Sequence, residues 1–434
     1  MGKIKVGVSQ GNTLDENLKD RKKLKIKKYT MICIIVIVSL LAIFINYFNK
    51  TYIYTNKIAK NIFIEGVDVS NLTKNEAIKY VNKNIVPGDI SLNYDGNIQK
   101  ISPNEIDLNY NTIEVVNEAY NYTKTDSYFE NLKRFLALNK NSKNLNLQSS
   151  YNESKLSSKI QNISDLINVP VENAKVYVSS SGNISVSKAT IGKELDIAST
   201  KESIYEAIKN KDYKTIDLKV NKKNPEISTD AAKSINALLG QFSTKFSTND
   251  DNRVTNIKVA ANSTSDVLLM PGEVFSYNAQ TGKRTKANGY KDAPVIVNGK
   301  LENDVGGGVC QVSSTIFNSA LYSGLDITSR QNHSLKSSYV SIGRDAMVSD
   351  GGSDLRFKNP YSHPIYIKNV VSDGVITSRI YGNVSDKKNI TIKVDPYTSG
   401  GLDAAKTYIQ YKDSNGEVIS TKYISNSVYK NPKQ

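Results

Sequence analysis

An α+β protein is predicted, with a membrane-crossing helix near its N-terminal end and, in its second half, a cysteine at a helix N-terminus packed against an antiparallel sheet. Three observations carry that expectation. Residues 31–48 form an apolar run behind a basic cluster. Short helix-period and strand-period segments alternate through 61–225. Gly306, Gly307 and Gly308 then run straight into a helix-period segment, and a tail of repeated polar and apolar alternation follows.

The first segment, 1–30, is polar and ends in Arg21, Lys22, Lys23, Lys25, Lys27 and Lys28. The run from Met31 to Phe48 is long enough to cross a bilayer, because about eighteen apolar residues suffice, and leading basic residues stay in the cytoplasm. No small-x-small cleavage site closes the run, and the polar part before it is long for a signal peptide. The expectation is an uncleaved, single-pass cell-membrane anchor with its N-terminus cytoplasmic and the rest of the chain extracellular; a cleaved export signal is the alternative. The chain has two cysteines, Cys33 within the apolar run and Cys310, so a disulfide framework is excluded. Its net charge of +15 is spread over scattered lysines rather than a basic stripe interleaved with aromatics, and no nucleic-acid partner is expected. Anionic wall polymers and lipid headgroups are the nearer partners; a merely solubilising surface is the other reading.

Residues 49–60 read as a polar linker. A short strand follows from Asn61, and Thr73, three before Glu76, opens a capped helix through Val81 that closes before Pro87-Gly88. Residues 89–110 read as a hairpin about Tyr94-Asp95-Gly96-Asn97, with helices at 113–122 and 128–138. A second cycle has helices at 153–166 and 199–208, and strands at 174–178, 183–187 and 215–220. The region 61–225 therefore reads as one or two small α+β units. It has no clustered catalytic residue types, which favours binding or spacing over catalysis.

Pro225 marks a boundary. A domain over 226–380 and a β extension over 381–434 are expected beyond it. Ser228 should cap a helix through Ala231, Ala232, Ile235, Leu238 and Leu239 to Gly240. A second helix is expected at 254–262, a strand at 293–297 and a hairpin turn at Asn298-Gly299. After the glycines, Val312, Ile316 and Ala320 share one helical face and Gly324 is a stop. The tail, 374–429, should add antiparallel strands about Asp413-Ser414-Asn415-Gly416.

Cys310 falls at or just before the N-terminus of this helix, where unpaired N–H groups and the helix dipole favour a thiolate. Two readings are open: a nucleophile, or a small buried apolar residue beside a tight turn. A free thiol outside the cell is exposed to oxidation, a hazard that Ala or Val would avoid. Both histidines lie in the same half of the chain. His333, 23 residues after Cys310, is the candidate base that pairs with the thiolate and returns a proton to a leaving amine. His363, followed by Pro364, reads as a turn residue. Asp345, Asp350, Asp354 or a backbone carbonyl could orient the imidazole, with Asp345 ranked first. Arg284 and Arg344 are candidates to clamp a substrate carboxylate, since guanidinium donors match its two oxygens; each could equally be a surface ion pair. The main-chain N–H groups of Gly308, Val309 or Cys310 could hold an oxyanion. No metal site and no cofactor is expected, because no close ligand pair such as C-x-x-C or H-x-x-x-H is present, and the Gly306 segment lacks the Lys-Ser/Thr ending of a phosphate loop.

The run Pro271-Gly272-Glu273-Val274-Phe275-Ser276, Thr281-Gly282-Lys283-Arg284-Thr285, Gly289-Tyr290, Gly306-Gly307-Gly308-Val309-Cys310-Gln311-Val312-Ser313, His333-Ser334 and Gly343-Arg344-Asp345-Ala346 closely resembles the VanW-domain family of bacterial envelope proteins. Residues 90–220 look like the peptidoglycan-binding domain that often precedes it. The resemblance implies a Gram-positive envelope setting, with peptidoglycan peptide stems as partners. Part of the family is understood as L,D-transpeptidases whose catalytic cysteine corresponds to Cys310. That implies attack on the carbonyl between the third residue and D-alanine of a tetrapeptide stem, release of D-alanine, and a third-residue to third-residue cross-link. The order of residues departs from the better-known L,D-transpeptidase domain, whose histidine precedes its cysteine. A water-resolved carboxypeptidase or endopeptidase, and a non-enzymatic wall-binding assembly protein, are the rival readings.

Overall fold

The computed structural model describes residue 2, residues 12–297 and residues 300–431. The chain forms two compact units, one of Met1–Asn168 with Glu194–Asn221 and the other of Val169–Lys193 with Lys222–Gln434, so it passes between them three times.

The first unit begins with one helix, Asn12–Phe48, continued by a π-helical turn, Asn49–Ile53. Its apolar side chains from Met31 to Ile45 are exposed, which is consistent with a membrane anchor or a signal sequence. Two small cores follow. In the first, strands Ile62–Ile64, Val67–Asp68 and Lys143–Leu145 pair edge to edge, and Ile62, Ile64 and Leu145 meet Ala77, Val81, Val115 and Val116 from two helices, Lys74–Asn84 and Thr112–Asn121. The first of these helices is held at its start by a reciprocal cap: the Thr73 side chain accepts from the Glu76 N–H, and the Glu76 carboxylate accepts from the Thr73 N–H at 2.9 Å. In the second core, the hairpin Ile90–Tyr94 and Asn97–Ile101 packs Ile90, Leu92 and Ile101 against Leu156, Ile160, Ile204 and Ile208 of helices Glu153–Ile167 and Ile197–Asn210.

The second unit is a mixed α+β domain. Its main sheet is antiparallel, in the order Ala237–Lys245, Val375–Gly382, Ile365–Ser372, Val267–Leu269. The helix Val309–Tyr322 shares its apolar core, in which Val312, Ile316, Ala320 and Leu321 pack with Leu239, Ile367, Ile376 and Ile380. A second helix, Asp251–Ser263, contributes Ile257, Ala260 and Ala261 to the same core. A three-stranded sheet of Val274–Ser276, Arg356–Lys358 and Asp326–Ser329 adds stacked Phe275 and Phe357, 4.6 Å between ring centres. The tail is a meander of Ile390–Ser399, Leu402–Lys412 and Val418–Val428, and Ile409 from its central strand enters the same core.

Two expectations differ from the structure. The helix from Ser228 lasts only Thr229–Lys233, and Ala237–Lys245 is a strand. Leu238 and Leu239 explain why: they bury into different cores on opposite faces, as successive residues of a strand do. Gly240 keeps that strand close to the end of the cysteine helix, because a Cβ there would lie 2.7 Å from the Tyr322 carbonyl carbon. The hairpin Val176–Val178 and Ile184–Val186, grouped by sequence with 61–225, packs in the second unit, where Val176 and Val178 meet Ala232, Ile235, Tyr366 and Tyr381. Its alternation specifies a strand but not the surface that buries it. Strands Asp292–Val297 and Lys300–Val305 pair as expected, and the turn assigned to Asn298-Gly299 lies outside the described residues.

Candidate active site

The cysteine helix is unusual for its length. Every residue from Gln311 to Leu321 is buried, including Ser313, Ser314, Thr315, Asn318 and Ser319. Sequence periodicity gives one apolar face; the structure buries the whole circumference and satisfies its polar groups individually. Thr315 pairs with Thr244 at 2.8 Å and Ser319 with Ser378 at 2.8 Å, tying the helix to the sheet. On another side, Ser313 donates to the Ala346 carbonyl at 2.6 Å, the Ala346 N–H donates to Ser314 at 2.9 Å, and Asn318 donates to the Arg344 carbonyl at 2.7 Å. These bonds fix the backbone on both sides of Asp345.

The start of the helix is made by close packing. Gly308, the N-cap residue, has φ +105°, and a Cβ on Gly307 would lie 2.7 Å from the backbone of Ala293. Cys310 is the second residue of the helix, partly buried, and its Sγ lies 3.4 Å from the Val348 carbonyl oxygen.

His333 is buried and comes from a loop after strand Asp326–Ser329. Its Nδ1 lies 2.6 Å from Asp345 Oδ2, and its backbone N–H donates to the same oxygen at 2.7 Å. The other carboxylate oxygen accepts from Arg330 Nη2 at 3.0 Å and from the Tyr429 hydroxyl at 2.6 Å. Asp345 is thus fully engaged, as a buried charge must be. Burial alone would raise the Cys310 thiol, but the hydrogen bond and charge of His333 outweigh it and, with the nearby Arg284 charge, take the thiol below its ordinary value. Burial works against a charged His333, yet its bonds to Asp345 and Cys310 outweigh it and raise the imidazole to about 9. Burial would also raise Asp345, and its His333 bond and the Arg330 charge bring it below the usual carboxylate range. The thiol and the carboxyl are thus shifted down and the imidazole up, each by its neighbours in this cluster.

The remaining residues singled out by sequence divide cleanly. Arg284 lies across the glycine turn from Gly306, donates to Asp350 through its side chain and backbone N–H, and to Asn278 at 2.5 Å. Arg344 is buried against the stacked rings of Phe242 and Tyr322 and donates to Asn318, toward the far end of the cysteine helix. The Val309 N–H is donated to the Gly306 carbonyl at 3.1 Å, and the Val309 carbonyl accepts from Tyr277 at 3.0 Å. Asp350 faces Arg284, Asp354 accepts from Ser276 and the Asn278 N–H, and His363 pairs with Asp386 at 3.0 Å. Among the described residues no group of three His, Cys, Asp or Glu side chains could hold a metal ion.

Sequence reasoning missed several neighbours. Arg330 and Tyr429 hold Asp345 from a strand end and from the tail. Tyr339 stands edge-on to His333 with ring centres 6.4 Å apart. Gln311 accepts from Arg253 Nη2 at 2.9 Å while its amide donates to Thr244 at 3.0 Å and to the Lys245 carbonyl at 2.9 Å. Arg253 lies against Gly308, and among the described residues it makes no ion pair. The position of Gln311 directly after the cysteine was the available signal; its partner, 58 residues earlier, gave none.

Residues 252–381 match the sequence profile described as "VanW like protein", and residues 99–217 match one described as "Putative peptidoglycan binding domain". The chain is 47% identical over 130 residues to the uncharacterized protein YoaR of Bacillus subtilis (strain 168), covering 30% of this chain and 43% of YoaR. It is 30% identical over 185 residues to the vancomycin B-type resistance protein VanW of Enterococcus faecalis (strain ATCC 700802 / V583), covering 40% of this chain and 67% of that protein. No solved structure matches the chain.

Proposed function

Because the chain belongs to the VanW domain family and carries a peptidoglycan-binding-like region ahead of that domain, we propose that it is a membrane-anchored, cell-wall L,D-transpeptidase that uses Cys310 as its nucleophile. The observation that carries the reading is the line of side chains at the helix start: thiol, imidazole and carboxylate, with His333 2.6 Å from Asp345.

In this reading the Cys310 thiolate attacks the carbonyl that joins the third residue of a tetrapeptide stem to D-alanine. The oxyanion forms against the N–H groups at the helix start, of which Gly308 and Cys310 are the candidates, since Val309 is already engaged. The C–N bond breaks as the His333 imidazolium gives its proton to the departing amine, leaving a thioester. The side-chain amine of a second stem then attacks the thioester, His333 takes up its proton, and the C–S bond breaks to restore the thiolate. Asp345 acts through His333, fixing the ring and stabilising its charge; it is a positioning residue. Arg253 is assigned to the substrate carboxylate in place of Arg284 and Arg344, because Arg284 is paired with Asp350 and Arg344 is buried toward the far end of the cysteine helix, whereas Arg253 lies beside Gly308 with no acidic partner among the described residues. The helix Asn12–Phe48 serves as an uncleaved anchor with its N-terminus cytoplasmic and both outer units facing the wall.

Incubation of the full chain with a disaccharide-tetrapeptide should add the mass of the stem less D-alanine to the peptide containing Cys310. Cross-linked dimers should appear when acceptor stems are supplied, and Cys310→Ala should give neither while remaining folded. Free tripeptide in place of dimers would make water the acceptor. Dimer formation by Cys310→Ala would overturn the cysteine nucleophile, and no adduct and no dimers from the wild-type chain would leave the non-enzymatic assembly role standing.

A further inference from the structure

We infer that the helix Tyr128–Ala137 is a second membrane-binding element, lying in the lipid headgroup layer at the outer end of the anchor. The inference rests on reading Asn12–Phe48 as that anchor.

The apolar run ends at Phe48, and the helix Tyr128–Ala137 docks at that point. Phe48 stands edge-on to Phe135 with ring centres 5.1 Å apart, Tyr52 lies 5.0 Å from Phe135, and Phe44 stacks on Phe48 at 6.3 Å. An aromatic ladder therefore carries the apolar surface of one helix onto the other. Aromatic rings concentrate where a spanning helix leaves the hydrocarbon. The inward side of the docked helix is accounted for by Phe135 and Leu132, which pack with Phe48 and Ile53.

Its outward side is not what water selects. Phe129, Lys133, Leu136, Ala137 and, one turn on, Lys140 are all exposed at helical spacing, with Phe129 80% and Leu136 53% exposed. Two large apolar side chains with lysines among them is the composition of a helix lying in a bilayer interface, the stems in acyl chain and the ammonium groups at phosphate depth. The neighbouring cations are consistent with anionic headgroups: Lys60 sits 5.5 Å over the Phe135 ring, and Glu130, the acid of the helix, is neutralised by Arg134 at 3.0 Å. The occupant of this face is the same membrane the anchor crosses.

The chain contains no tryptophan, so a single substitution reports its own surroundings. Full-length Phe129→Trp, Leu136→Trp and Phe44→Trp are reconstituted in nanodiscs of phosphatidylcholine and phosphatidylglycerol, with and without brominated acyl chains. Emission from Phe129→Trp and Leu136→Trp should be blue-shifted relative to tryptophan amide in buffer and should lose most of its intensity in brominated lipid, as Phe44→Trp does. If Phe44→Trp is quenched while both others emit as in water and escape quenching, the inference is overturned and the anchor stands. Should Phe44→Trp itself escape quenching, the anchor reading fails and takes the inference with it.

Discussion

In the proposed reaction Asp345 acts through His333, to which it is bonded by both the ring and the backbone N–H. Its support raises His333 to about 9, while the thiol of Cys310 is lowered, and both directions favour the charged pair that the proposed reaction requires. Transpeptidation should rise with pH as the thiol ionises and fall as His333 loses its proton near 9. In Asp345→Asn the imidazole loses its anionic partner, so the alkaline limb should move to lower pH and kcat/KM should drop by about 10²–10⁴-fold, read from the pH–rate profile. The same shift has a sign for folding: stability contributed by charged His333 is complete below its unfolded value and is lost as pH rises through about 9. Arg330 and Asp345 are 3% and 1% exposed, so Arg330→Leu takes one of two cationic partners from a buried carboxylate and leaves it to His333 and Tyr429. A loss of about 1.5–3 kcal/mol in denaturant unfolding is expected, the cost of one hydrogen-bonded charge partner. Cys310 and His333 stood out in the sequence because their residue types are scarce. Arg330 and Tyr429 did not, since nothing local to either residue signals that it folds onto a carboxylate, and tyrosine is common in this chain.

At the scale of elements, the cysteine helix was legible in position and length but not in character. Val312, Ile316 and Ala320 mark one face; Ser313, Ser314, Asn318 and Ser319 look like a solvated face and are buried instead. Their partners lie 26 to 59 residues away, beyond any periodicity. The helix start depends on Gly307 for a steric reason that can be tested. In Gly307→Ala the new methyl meets the Ala293 backbone, which cannot swing aside as a side chain would. The variant should lose about 1–3 kcal/mol on thermal or denaturant unfolding and should lose acylation of Cys310 in proportion to the displacement of the turn. The missed strand Ala237–Lys245 teaches the complementary lesson: adjacent leucines feeding two cores look helical until both cores are known.

For the whole molecule, the α+β class was readable from alternating periods. The assignment of residues 169–193 was not, because a short hairpin carries no address. A fragment of residues 226–431 should therefore fold poorly: without Val176 and Val178, the surface formed by Ala232, Ile235, Tyr366 and Tyr381 is uncovered. Compared with residues 169–431, it should unfold at lower temperature and bind more of a hydrophobic dye, and adding back the hairpin in cis should reverse both.

The threefold passage of the chain between its units also sets an order of events during biogenesis. As the polypeptide emerges, Ile90 and Leu92 must wait for Ile204 and Ile208 before their core can close, and Val176 and Val178 wait for Tyr366 and Tyr381, almost two hundred residues later. The hairpin of Val176–Val178 and Ile184–Val186 thus stays uncovered until the two strands that carry Tyr366 and Tyr381 have been made.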